Sequence, residues 1–183
     1  MHRWFLLGAL VVTTACDSEG GGIFGGGGGG GGGGTVGKDD IPSTAELMRT
    51  DEADLSDGAP EADLGWLESR ACVPGTQFEK FDGNWVWFTY EQPAQKQVYV
   101  EADPESGVDV SLIVSQAEAG SSGEGSEAVT GLCEAGLDYD GKNAGTSEAV
   151  KVTSVNLGYH LIIGVAGAFE EDSGGFELNI YEE

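Results

Sequence analysis

Near its C-terminus the chain reads Tyr159-His160-Leu161-Ile162-Ile163-Gly164-Val165, with an apolar residue at every odd-numbered position. The odd-numbered residues would share one face of an extended strand, and His160 would lie on the other face, where we expect it to meet solvent. Such alternation is typical of a β-strand that buries one face in a core and turns the other toward water.

The same period of two recurs across the C-terminal two thirds of the chain. Segments between these strands are rich in Gly, Ser, Asp and Glu, and no run of ten or more residues there has a helical period. Parallel strands need long crossover connections, so the strands should be mostly antiparallel. The pattern predicts an all-β domain, an antiparallel β-sandwich or jelly roll, over residues 70–183. Its further strands are expected within 84–90, 98–102, 108–114, 150–152 and 176–180.

The N-terminus has the features of an export signal. One arginine, Arg3, precedes nine mainly apolar residues at 4–12. Spanning a bilayer takes about 20 residues, whereas the core of a signal peptide is this short. Thr13-Thr14-Ala15-Cys16 then resembles the bacterial lipobox, which implies a signal peptide over 1–15 and a diacylated Cys16. Thr13 stands where an aliphatic residue is usual, and this leaves ordinary cleavage after Ala15 open.

The three cysteines of the chain, Cys16, Cys72 and Cys133, bear on the same question. An exported chain with an odd number of cysteines leaves one thiol to be explained. Lipidation of Cys16 would leave Cys72 and Cys133 as one disulfide in an oxidising compartment. The chain is therefore predicted to be a bacterial cell-envelope lipoprotein that contacts the membrane only through its lipid anchor.

Between the anchor and the strands lie two segments of unusual composition. Residues 16–34 include ten consecutive glycines at 25–34. We expect a flexible linker there, with an r.m.s. reach of about 17–19 Å. Residues 35–69 are acidic and poor in aromatics, which predicts a mostly disordered segment. Ser43 and Glu46 could form a capping box for one short helix within it.

The formal net charge of −24 disfavours whole classes of partner. An acidic surface repels the phosphate backbone, so no nucleic-acid binding is expected. Catalysis is not expected either. His160 is the only histidine after Cys16, no Gly-x-Ser-x-Gly elbow is present, and no His/Cys cluster has zinc spacing. No catalytic residue and no required cofactor are therefore predicted.

One loop carries a candidate calcium site. In Asp138-Tyr139-Asp140-Gly141-Lys142-Asn143, the oxygen-bearing side chains of Asp138, Asp140 and Asn143 flank a glycine turn, as a hard cation prefers. The twelfth position of a full EF-hand loop would be Ala149, which has no carboxylate. An Asp-Gly turn between strands explains the same residues and is the favoured interpretation.

Trp85 and Trp87 form a candidate ligand platform, because their spacing places both rings on one face of one strand. Exposed, they could stack on a sugar or another flat ligand. Large rings are usually mostly buried, so a core or loop-covered position is favoured.

Five segments of the strand series share a pattern of turns and strands. They are Asp82-Gly83-Asn84-Trp85-Val86-Trp87-Phe88-Thr89-Tyr90, Val108-Asp109-Val110-Ser111-Leu112-Ile113-Val114, Ser147-Glu148-Ala149-Val150, Leu157-Gly158-Tyr159 leading into the 159–165 strand, and Gly174-Gly175-Phe176-Glu177-Leu178-Asn179-Ile180. In this order they resemble the bacterial pre-peptidase C-terminal domain family over roughly residues 76–183. Ser111 stands where that family has a second acid in its central strand, and no protease domain accompanies the module. The resemblance implies a small β-sandwich outside the cell that serves as a binding or spacer module.

These observations favour a non-catalytic envelope lipoprotein that displays a β-sandwich on a flexible stalk. Its expected partner is an envelope protein or a polysaccharide. Two alternatives stay open. An exposed Trp85/Trp87 face or clustered Asp138 and Asp140 oxygens would indicate a carbohydrate- or calcium-dependent binding module. A pocket that joins His160 to a serine and a carboxylate would indicate a hydrolase.

Overall fold

The computed structural model describes residues 34–36, 38–118, 120, 123, 125–131, 133–137 and 144–183. The predicted signal peptide, Cys16 and nearly all of the glycine run lie outside the described residues, and their interpretation stays a prediction.

Ten strands are formed by the described residues, together with one short α-helix and four short 3₁₀ segments. The 3₁₀ segments span Lys38–Asp40, Leu55–Asp57, Gly75–Lys80 and Ser126–Ala128, and helix α1 spans Gly65–Ser69. The strands are β1 (Gly34–Val36), β2 (Glu46–Asp54), β3 (Ala59–Pro60), β4 (Asn84–Gln92), β5 (Gln97–Pro104), β6 (Val110–Glu118), β7 (Cys133–Gly136), β8 (Glu148–Thr153), β9 (Tyr159–Gly167) and β10 (Gly175–Glu182).

The strands form two five-stranded sheets. The first sheet has the order β1-β8-β5-β10-β2 and the second has the order β3-β4-β9-β6-β7. Every pairing is antiparallel. The predicted all-β, antiparallel sandwich is confirmed.

The main core lies between the two sheets and consists of the apolar residues that the period of two predicted. Leu161, Ile163 and Val165 of β9 are fully buried there. They face the aliphatic residues of the first sheet, and Phe88 meets Phe176 edge to face with ring centroids 6.0 Å apart. Each fully buried side chain of this size contributes about 1.5–3 kcal/mol to folding relative to an exposed one.

A second core covers the opposite face of the second sheet, where the sequence predicted solvent. Ile162 and Ala166 of β9 are buried beneath Leu67 and Phe81. We call residues 64–81, which form this cover, the covering segment. The prediction that β9 turns one face to water is wrong, because the covering segment folds back over it.

Cys72 and Cys133 form the predicted disulfide, with their Cα atoms 4.7 Å apart. Cys72 belongs to the covering segment and Cys133 begins β7. The bond therefore fastens the covering segment to an edge strand of the sheet that it covers. A closed loop of this length is expected to stabilise the fold by about 4 kcal/mol through the entropy of the unfolded chain.

The predicted disorder of residues 35–69 is wrong. β2 pairs with β10 from Glu46 to Asp54, and Leu55 is fully buried in the main core. Ser43 and Glu46 cap no helix, since Glu46 begins β2. Acidic residues favour strands weakly, but β2 is an edge strand whose backbone partner is supplied by β10 and whose side chains stay largely exposed. The sandwich thus includes residues well before the predicted start at 70.

Gly164 allows the second core to close. A Cβ atom at this position would lie 2.8 Å from Trp87 and 2.9 Å from Trp85, closer than packed carbon atoms approach. We expect Gly164→Ala to lower the free energy of unfolding by about 1–3 kcal/mol, as overpacked core positions do. Urea denaturation measures this. Gly65→Ala is the matched control, because its Cβ would meet only the Asp63 side chain, and an equal loss in both variants would contradict the packing argument.

Candidate functional site

An acidic groove of about 540 Å³ lies at one end of the first sheet, where β2, β10 and β5 run side by side. Its floor is formed by Ala53, Pro104, Gly175 and Phe176. Its polar lining consists of carboxylates alone, contributed by Glu52, Asp54, Asp57, Asp103, Glu105 and Glu177.

Strand register places three of these carboxylates in one row. β10 lies between β2 and β5, and its Glu177 is directly opposite Glu52 of β2 on one side and Asp103 of β5 on the other. Neighbouring strands are about 4.8 Å apart, so each of these acids has a like charge at close range. Like charges directly opposite one another destabilise a sheet. Lys38 pairs with Asp103 and the Asn179 amide donates to Glu177 at 2.9 Å, but no basic residue of the described chain pairs with Glu52 or Glu177.

Two groove carboxylates are stabilised in their charged form. A hydrogen bond from the Ser56 hydroxyl, with a second from the Ser56 backbone N–H at 2.8 Å, lowers the pKa of Asp54. Partial burial pushes the pKa of Asp103 upward, but hydrogen bonds from Lys38 and Ser147 outweigh it and leave the pKa of Asp103 below its usual value. Both groups keep their negative charge to lower pH than an ordinary Asp.

Lys38 is the basic residue nearest the groove. Its Nζ lies 2.8 Å from Asp103 and 2.9 Å from Glu101, which is only 1% exposed. The Asp103 hydrogen bond, followed by its contacts with Glu101, raises the pKa of Lys38 against the opposing effect of partial burial. Tyr181 donates a hydrogen bond to Glu101 at 3.0 Å, and burial, with the Glu101 charge, raises the pKa of Tyr181 to about 12.

This network compensates a buried charge, because an unpaired buried carboxylate costs several kcal/mol. It neutralises only one end of the groove. In the part of the chain that the structure describes, no Lys or Arg pairs with Glu52, Asp57, Glu105 or Glu177. Most of the groove therefore presents uncompensated negative charge to solvent.

The carboxylates of the groove are spread along it and do not converge on one point. No three acidic, His or Cys side chains among the described residues converge closely enough to hold a metal. The six carboxylates are instead distributed along three strand ends, so separate positive charges could each meet a separate acid. The candidate calcium ligands Asp138, Asp140 and Asn143 lie outside the described residues, so the candidate site and the favoured Asp-Gly turn both stay predictions.

Trp85 and Trp87 do not form an open platform. Trp85 is 2% exposed, stacks on Phe81 with ring centroids 5.4 Å apart, and donates a hydrogen bond to the Phe81 carbonyl at 3.2 Å. Trp87 is partly buried beside Trp66, at 6.1 Å between centroids. The covering segment occupies the space that a flat ligand would need, and the ligand-platform alternative is wrong for this conformation.

His160 does not face solvent as predicted. It is 9% exposed, its Nδ1 lies 2.5 Å from Glu91 Oε1, and its Nε2 is buried without a hydrogen-bond partner. Ala117 of β6 pairs with His160 of β9. Ser115 is two residues from Ala117 in β6, so Ser115 lies on the same face of the sheet as His160. The hydrolase alternative required such a serine and carboxylate. Ser115, however, is fully buried, so no substrate carbonyl can reach its hydroxyl in this conformation.

Sequence reasoning missed most of the groove. Glu52, Asp54 and Asp57 fell in the segment that was predicted to be disordered, and so did Lys38. The contact between Glu91 and His160 could not be predicted from the sequence, because it depends on the register of β4 against β9. A period-two pattern over 46–54 was not apparent, since both faces of β2 carry charged residues.

No protein-family model, no curated protein and no solved structure matches this chain. The resemblance to the pre-peptidase C-terminal domain family therefore stays a prediction. Among the described residues, no helix has both the length and the apolar character needed to cross a membrane.

The lowered pKa of Asp103 predicts a pH-dependent contribution to stability. A depressed folded-state pKa stabilises the protein above the unfolded value of about 3.9, and this stabilisation disappears as the pH falls through the lower folded value. Asp103→Asn should lower the free energy of unfolding at pH 7 by up to about 1 kcal/mol, since the pair is partly solvent-screened. Urea denaturation at pH 7 and pH 2.5 tests this, with Glu170→Gln as a control outside the network. A deficit that is as large at pH 2.5 would contradict it.

Proposed function

We propose that this chain is a non-catalytic, lipid-anchored protein of the bacterial cell envelope whose β-sandwich binds a cationic partner in the acidic groove. The observation that carries the proposal is the row of Glu52, Glu177 and Asp103 across three adjacent strands. Lys38 pairs with Asp103, but no basic residue of the described chain pairs with Glu52 or Glu177.

The cost of the row supports a role in binding. Two unit charges about 5 Å apart repel by roughly 1–3 kcal/mol at the effective dielectric constants of a protein surface. Lys38 offsets the repulsion at Asp103 only. A ligand with several positive charges would neutralise the remaining acids, and its affinity would include the repulsion that it relieves. General solubility needs scattered acids and does not need them aligned.

The proposed partner is an envelope protein or an amino-bearing polysaccharide with closely spaced positive charges. Six carboxylates around a groove open to solvent can meet several such charges at once. The predicted tether agrees with this role, because a flexible linker lets an anchored domain search a volume around its anchor and raises the effective concentration of its partner.

The groove predicts a charge-dependent affinity for a polycation. Fluorescein-labelled nona-lysine, measured by anisotropy at 50 mM salt, should bind the full chain in non-ionic detergent. Glu52→Lys with Glu177→Lys should weaken binding at least tenfold. The matched control is Glu170→Lys with Glu171→Lys, which changes the net charge equally at exposed residues outside the groove. Equal weakening in both double variants would show that only total charge matters and would refute the groove.

The lipid anchor predicts a separate outcome. Cys16→Ala removes the thiol that would be diacylated, so the chain should leave the membrane fraction or accumulate as an uncleaved precursor. Mass spectrometry of the mature N-terminus measures this directly. A soluble product of the unaltered chain that begins with an unmodified Cys16 would reject the anchor and leave the groove proposal untouched.

A further inference from the structure

The outer edge of β2 is an open strand edge. β2 is nine residues long and lies at the end of the first sheet, paired on one side with β10. No strand of the described chain pairs with its other side. Five consecutive residues from Glu46 to Thr50 are exposed, so this edge is not covered by another element. An edge of this kind offers unpaired backbone N–H and C=O groups to a further strand.

The register identifies which backbone groups face outward. The Leu55 N–H donates to the Gly174 carbonyl at 3.0 Å, one position beyond the Asp54–Gly175 pair that ends the ladder between β2 and β10. In an antiparallel pair such hydrogen-bonded positions alternate, so Ala53 and Asp51 also direct their backbone groups toward β10. Thr50 and Glu52 therefore direct theirs outward.

Charge distinguishes between the occupants that this edge could accept. β2 contains Glu46, Asp51, Glu52 and Asp54 against a single Arg49, a net charge of −4 + 1 = −3. A second copy of the chain would place −3 opposite −3, within an overall charge of −24 per chain. An extended segment with positive charge would instead be attracted along the whole edge.

The two ends of β2 differ in character. Its C-terminal end leads into the acidic groove through Glu52 and Asp54. Its N-terminal end presents Leu47 and Met48, which are 52% and 48% exposed. A complementary strand would carry its basic residues over the groove and an apolar residue over Leu47 and Met48.

We infer that β2 binds an extended, basic segment of a partner protein as a further strand of the first sheet. This inference rests on the proposed function, because the groove supplies the charge recognition. The outward backbone groups of Thr50 and Glu52 supply the hydrogen bonds, as in other complexes that form by strand addition.

The experiment separates backbone pairing from charge. The probe is a fluorescein-labelled nonapeptide of alternating Lys and Val, bound to the full chain in non-ionic detergent. Thr50→Pro removes the outward N–H and leaves the pairing with β10 available, as proline on an edge strand does. Thr50→Val is the matched control, because both variants lose the 2.7 Å hydrogen bond from Thr50 to Asn179 and only the proline loses the N–H. We expect at least tenfold weaker binding in Thr50→Pro than in Thr50→Val.

Amide hydrogen exchange on the unaltered chain gives a second measurement that needs no proline variant to fold. Peptide binding should slow exchange at Thr50 and Glu52 at least tenfold and change little at Asp51 and Ala53, whose amides already pair with β10. Equal affinities for Thr50→Pro and Thr50→Val, with no slowing at Thr50 and Glu52, would overturn the strand inference. If the Glu52→Lys, Glu177→Lys double variant then lost affinity for the peptide, the groove proposal would still stand. If that double variant kept its affinity, the groove proposal would be refuted too.

The remaining occupants also give distinct results. If Thr50 and Glu52 are protected without peptide and the protection depends on protein concentration, the edge pairs with a second copy. If the protection is independent of concentration, a segment of the same chain outside the described residues occupies the edge. Either result would overturn the assignment to a partner protein.

Discussion

The burial of β9 on both faces is the constraint on which the rest of the structure depends. Leu161, Ile163 and Val165 need one apolar layer, and Ile162 with Ala166 needs another. The first sheet supplies one layer and the covering segment supplies the other. The covering segment is held by its buried residues Leu67 and Phe81, and the disulfide to β7 fastens it further. Gly164 then allows Trp85 and Trp87 to approach the strand closely.

This arrangement decides where the molecule can interact. The second sheet is covered on both faces, and its polar residues Ser115 and His160 are buried. The first sheet buries one face and leaves the other partly open. β10, its second-to-last strand, has a buried face of Phe176, Leu178 and Ile180 and an opposite face that carries Glu177 into the carboxylate row. The groove follows from the strand order of this sheet.

Both β9 and β10 could be predicted as strands from their alternation, which also reports the buried face of β10, whereas β9 is buried on both faces. The disulfide between Cys72 and Cys133 could be predicted because these two cysteines remain once Cys16 is assigned to the lipid anchor. β2 could not be predicted, since an edge strand with charged residues on both faces carries no alternating signal and forms only because β10 offers it a backbone partner. The groove could not be predicted from the sequence either. Glu52, Glu177 and Asp103 lie far apart in sequence, and only the strand register brings them together.

The groove and the β2 edge are energetically coupled. Repulsion among Glu52, Glu177 and Asp103 weakens the pairing of β2 with β10, and an edge strand has no second neighbour to compensate for it. Local opening of such a strand costs less than global unfolding. A cation bound in the groove as proposed would remove the repulsion and stabilise β2, and by linkage a stable β2 would bind the cation more tightly. A basic strand added to the edge would exploit both effects, because its charges and its backbone hydrogen bonds would stabilise the same element. On this proposal, the acidic residues in β2 would limit self-association and keep the edge available to a positively charged partner.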